Sequence, residues 1–192
     1  MSFLDLLIRF ETVSRDAVRK LVRFDDQRWK LTLGNLEIAP MHDYFLPSLF
    51  HDLERQIGPV ARTLVIRYAT HVGLKDGENL RKVMEASGVK VTLDAAVQVV
   101  RNFLTLWCLL GWGRLRRVEL VNGKLIAERT SSYEAEGYLK LGLGKARSPR
   151  CWIALGYVIG VTQGILGRRV EGEETKCIAM GDDTCTFEIT IP

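Results

Sequence analysis

The sequence predicts an α+β protein, an antiparallel sheet of hairpins packed against a layer of helices, and three observations lead there. Apolar residues recur at helical spacing through the first half, as far as LLGWG. From GRLRRVELV onward they alternate with charged residues around Asn122-Gly123, a pair suited to a tight hairpin turn. A second alternating stretch, VEGEETKCIAMGDDTCTFEITI, folds back on itself about Gly181. Helices first and hairpins later argue against a wound parallel sheet.

The 192 residues, 47% of them hydrophobic, suffice for one domain with a substantial core, with or without a short appendage. Charged residues make up 26% and the formal net charge is +4, without a lysine- or arginine-dense block, so nucleic acid is not indicated as a partner. Asp5, Arg9 and Glu11 interrupt the apolar N-terminus, unlike a secretory signal, and the expected location is cytoplasmic. Four cysteines in that compartment are expected as thiols, buried, metal-bound or reactive. Trp152 to Leu166 is too short and too rich in glycine for a membrane span, and no transmembrane helix is expected.

Leu6, Leu7, Phe10, Val13, Val18, Leu21 and Val22 predict an amphipathic helix or helix pair between Leu6 and Phe24. It forms an N-terminal extension over residues 1–30, ahead of a ligand-binding domain over 31–192. WKLTLGNLEIAPM reads as a short strand or hairpin about Gly34-Asn35. DYFLPSLFHDLERQIG reads as a helix closed by Gly58, with Pro59 opening the next. That next helix should bury Val60, Leu64, Ile66 and Val72 and resume as GENLRKVMEASG after a break at Gly77. Thr92 is a natural cap for LDAAVQVVRNFLTLWCLLGWG. GRLRRVELVNGKLIAERTSSYEAEGY should give two strands with one solvated face, Arg114 and Arg116 on one side and Arg117 on the other. SPRCWIALGYVIGVTQGILGRR starts as a helix at Ser148 and Pro149. Its glycines at 156, 160 and 164 form a stripe for close approach to a sheet or another helix.

A final hairpin with an odd loop centred on Gly181 places Cys177 across from Cys185. Cys151, in the first turn of the glycine-striped helix, adds a third sulfur, favoured as thiolate by the helix amides and by Arg150. With Glu174 these groups make a tetrahedral shell suited to zinc. Residues 174 and 177 lie on opposite faces of a regular strand, so Glu174 joins only through a bulge. The competing reading is that all three cysteines are small core residues, since no CxxC pair is present. Cys108, beside Trp107, reads as core, and Asp182-Asp183 as turn residues.

NGKLIAERTSSYEAEGYL and PRCWIALGYVIGVTQGILGRRVEGEETKCIAMGDDTCTFEI together resemble the 4-vinyl-reductase domain family. Its relatives include effector-sensing domains of phenol- and toluene-responsive activators and, more distantly, vesicle-tethering subunits of the TRAPP complex. The earlier half agrees only in general pattern. The resemblance implies a TRAPP-subunit-like ligand-binding fold, the type found in NO signalling and Golgi transport. It implies zinc on Cys151, Glu174, Cys177 and Cys185, and a pocket for a small hydrophobic or aromatic molecule. Tyr133 stands where phenol sensors tend to have tryptophan, and Trp107 and Tyr157 join it as pocket candidates or as ordinary core aromatics. No histidine matches the sensors' pocket histidine: His71 lies on another helix and Asn102 to Trp107 fill the comparable stretch. A more apolar or differently shaped ligand than phenol is implied.

Three functions follow. In the first, the domain is a zinc-containing sensing module, a homodimer that acts through a signalling or regulatory partner protein. A shell of three sulfurs and a carboxylate leaves no open position for metal catalysis. In the second, it is an interaction scaffold whose pocket is filled by its own side chains. In the third, it assists or performs reduction of a tetrapyrrole vinyl group, for which no GxGxxG after a strand and no isolated acid–base pair is present.

Overall fold

The computed structural model describes residues 7–8, 13–34 and 36–192. Helix α1 (Arg15–Leu21), capped by the Ser14 hydroxyl, leads into a three-stranded antiparallel sheet of β1 (Val22–Asp25), β2 (Lys30–Leu33) and β3 (Leu36–Ile38). Helices α2 (Phe45–Ile57), α3 (Val60–Ala86) and α4 (Leu93–Trp107) follow. A wide turn, Cys108–Trp112, then feeds the hairpin β4 (Gly113–Val121) and β5 (Lys124–Ser132). The chain continues through α5 (Tyr133–Lys140), α6 (Trp152–Leu166), β6 (Glu171–Lys176) and β7 (Cys185–Thr190). The second sheet is fully antiparallel, in the order β4-β5-β7-β6. The α+β architecture is the one the apolar periodicities predict.

The amphipathic helix expected over Leu6–Phe24 is shorter in its described part, because the chain turns to strand at Val22. Leu6 and Phe10 lie outside the described residues. Residue 30 opens β2, so the expected boundary at 30/31 falls within a hairpin. Leu7, Val13 and Val18 are buried, and Asn102 of α4 donates to the Leu7 carbonyl at 3.1 Å, so this segment lies against the core.

Helix α6 is the centre of the fold. Twelve of its 15 residues are buried, as required of a helix apolar on every side. Its glycine stripe meets α3, not the sheet: Cβ atoms at Gly156, Gly160 and Gly164 would run into the carbonyls of Ile66, Thr70 and Leu74. Gly73 and Gly77 of α3 answer it, each with no room for a Cβ against the backbone of Tyr157 or Val161. The contacts advance together in sequence, so the two helices run parallel at backbone distance. Gly77 therefore sits inside one unbroken helix, where a break was expected. The buried face of α3 is Ala61, Ala69, Gly73, Gly77, Leu80 and Met84. Val60 and Leu64, expected inside, are about half exposed, at 56% and 47%.

Residues 93–112 are long and apolar enough to cross a membrane by length and composition. Here Ala96, Val99, Val100, Phe103 and Leu106 are buried in the core. Asn122 and Gly123 both take positive φ, 50° and 77°, as the tight β4–β5 turn demands. Two irregularities in β4, between Arg114 and Leu115 and between Leu115 and Arg117, bring Arg116 and Arg117 together on Glu128. That corrects the strict alternation expected for the three arginines.

Candidate functional site

The final hairpin makes the first constellation. Glu174 pairs with Phe187 and Lys176 with Thr186, so Thr175 is an extra residue on β6. Continuing the register past this bulge puts Cys177 across from Cys185, and the bulge turns Glu174 to the same inner face. Cys151 is the residue preceding α6, one position before the helix and not within its first turn. Ser148 does not cap this helix. Both oxygens of buried Glu134 do so, accepting from the N–H groups of Ile153 and Ala154 at 2.8 and 3.0 Å. Burial pushes the Glu134 carboxyl up to about 7.

Ligand atoms of Cys151, Glu174, Cys177 and Cys185 all lie within 4.8 Å of one another. The three thiols are fully buried and Glu174 is nearly so. Cys151 and Cys185 sulfurs are 3.4 Å apart. Backbone N–H groups point at the sulfurs, Arg150 to Cys177 and Ile178 to Cys185, each at 3.4 Å, which favours thiolate. Cys177 N–H donates to Asp182 and fixes the loop. One Glu174 oxygen accepts from Cys151 N–H, while the other is buried with no hydrogen-bond partner among the described residues. Burial pushes Glu174 up to about 9 and Cys151 well above its ordinary value. A carboxylate and three thiols crowded together out of water are costly unless a cation neutralises them, and a tetrahedral thiolate-rich set suits zinc. The Arg150 guanidinium, expected to favour the thiolates, instead stacks over Tyr138 and Trp152 and pairs with Glu54 of α2.

The second constellation lies where α4, its wide turn, α6 and the small sheet meet. A cleft of about 630 Å³ is walled by Trp107, Trp112, Tyr133 and Tyr157 on one side and by Ile38, Met41 and Leu46 on the other. All three pocket candidates thus line one space. Trp107, Trp112 and Tyr157 pack on one another with ring centroids 5.2–6.2 Å apart, and Tyr133 joins through Trp112 at 5.7 Å. The Tyr157 hydroxyl donates to Asp76, and burial together with that carboxylate raises its pKa.

Sequence reasoning missed Trp112, Glu134 and Arg129. Arg129 was legible by parity, since it shares a strand face with buried Leu125 and Ala127. Trp112 sits between two glycines of positive φ, a signal of an irregular wall and not of a strand start. The helix Tyr133–Lys140 was hidden because alternation in SSYEAEGY resembles a strand.

An antiparallel sheet on helices, with a Cys3Glu cluster closing its last hairpin, defines a class of domain. Residues 136–191 match the model of the 4-vinyl-reductase domain, and the chain carries that domain there. It is 29% identical over 171 residues to the transcriptional regulatory protein XylR of Pseudomonas putida, covering 85% of this chain and 29% of that protein. It is 28% identical over 182 residues to the phenol regulator MopR of Acinetobacter guillouiae, covering 89% of this chain and 30% of that protein. The chain therefore spans under a third of the length of these curated relatives. The fold is shared with the phenol-responsive sensory domain of the transcription activator PoxR, solved with phenol. The TM-score is 0.71 at 24% identity, covering 91% of this chain and 87% of that one.

Proposed function

We propose that this chain is a cytoplasmic, non-catalytic sensing domain that binds a small hydrophobic or aromatic molecule, with zinc pinning its last hairpin to α6. The observation that carries the reading is the aromatic-walled cleft, concave and mainly apolar as ligand sites are. The regulators it resembles favour sensing over vinyl reduction or a scaffold role. Zinc on Cys151, Glu174, Cys177 and Cys185 has a structural part: it locks β6, β7 and the start of α6, which stand behind the pocket.

The active unit is a homodimer that passes its signal to a regulatory partner. Val60, Leu64 and Tyr68 recur every four residues along α3, and Phe45 and Leu49 do so on α2, all about half exposed or more. A second copy of this chain is the occupant that would give the α3 pattern its missing burial. The test is titration with toluene, read by the fluorescence of Trp107 and Trp112 and by melting temperature. Saturable quenching with a raised melting temperature is expected. No response to toluene or to other small aromatics overturns the reading.

A further inference from the structure

Behind the wall of Trp107, Trp112 and Tyr157 lies a second, inner space that also touches Phe187, Ala127 and Arg129. Arg129 is 5% exposed, an unusual place for a guanidinium. One of its terminal nitrogens, Nη1, donates to the Trp112 carbonyl at 3.1 Å, and the guanidinium lies over the Phe187 ring, 5.0 Å from its centroid. Its other edge, Nε and Nη2, is buried and has no hydrogen-bond partner among the described residues, cysteine sulfurs included. That edge carries two parallel N–H groups, the fork that accepts a carboxylate bidentately. Glu134 does not fill it, because both its oxygens are held by Ile153 and Ala154. A second donor, the Trp107 indole N–H, is likewise buried without a partner.

Buried donors without acceptors cost free energy, and a fork locked from behind by a carbonyl and a ring is arranged for an incoming group. We propose that the molecule bound here is an aromatic acid, its ring among Trp107, Trp112 and Tyr157 and its carboxylate on the Nε–Nη2 edge of Arg129. This rests on the aromatic-binding reading above and narrows it to a ligand with an anionic acceptor. The inner space holds only about 10 Å³, so the ligand must displace part of the aromatic wall. Trp112 is the part built to move: Gly111 and Gly113 flank it, with φ of 112° and 137°, and its carbonyl is the one Arg129 holds. Carboxylate binding and displacement of the wall are then coupled through one arginine.

The test is calorimetric titration of the metal-loaded chain with benzoate and, separately, with toluene. Benzoate should bind about tenfold to a hundredfold more tightly than toluene, the worth of a charge-assisted pair. Arg129→Met should remove that preference while leaving zinc content and toluene binding unchanged. Arg129→Lys, which keeps the charge but loses the fork, should recover only part of it. Toluene binding at least as well as benzoate would overturn the carboxylate anchor and leave the aromatic pocket standing, with a water as the partner of Arg129. Binding of neither would overturn both. Unchanged benzoate affinity in Arg129→Met would also sink the proposal.

Discussion

Two buried polar constellations sit side by side on the inner face of the same sheet, Arg129 of β5 lying directly across from Cys185 of β7. In one, four side chains converge on each other and the backbone points N–H groups at their sulfurs. In the other, a guanidinium edge points at free space inside an aromatic wall. The first is closed and lacks only a cation; the second is open and lacks an acceptor. The difference separates residues that hold the fold from residues that select what it binds.

Substitutions should divide along that line. Cys177→Ala or Cys185→Ala should release the metal and destabilise the domain by about 4 kcal/mol or more, the class of loss expected when a structural metal goes. Zinc retained with an unchanged melting curve would place these cysteines in the ordinary core. Gly160→Ala tests packing alone. Its Cβ would strike the Thr70 carbonyl and the backbone at Leu74, so the helices must part, at about 1–3 kcal/mol, while zinc stays bound. A neutral outcome in denaturant melts would mean that α3 and α6 are not locked at backbone distance. Arg129→Met should change stability least, by about 1 kcal/mol or less, since burying an apolar side chain of similar length relieves two unpartnered donors. A loss as large as that of the cysteine variants would make Arg129 structural and erase the distinction. Leu64→Lys should leave the monomer's stability nearly untouched and halve the mass seen by light scattering, if α3 forms the seam between copies.

The sequence made the sheet and the sulfur cluster legible for concrete reasons. Asn122-Gly123 marked one hairpin, and the symmetry of Cys177 and Cys185 about Gly181 marked the other. The condition attached to Glu174 was a bulge, and Thr175 supplies it. Less legible was anything decided by contact between distant segments. Hydrophobic pattern assigned Val60 and Leu64 of α3 to the interior, yet glycines and alanines face α6, because backbone-to-backbone packing selects small residues over large ones. Gly77 resembled a break for the same reason. Arg129 and Glu134 escaped notice because charged residues are ordinarily solvated, and only the folded sheet shows them inside.

The central claim is that Cys151, Glu174, Cys177 and Cys185 form one metal centre. The most direct test is elemental analysis of the purified, tag-free protein, with zinc counted per chain before and after the thiols are blocked. About one zinc per chain, released on blocking, is the result predicted for a closed four-ligand site. Metal-free protein with intact thiols and a full melting transition would contradict it.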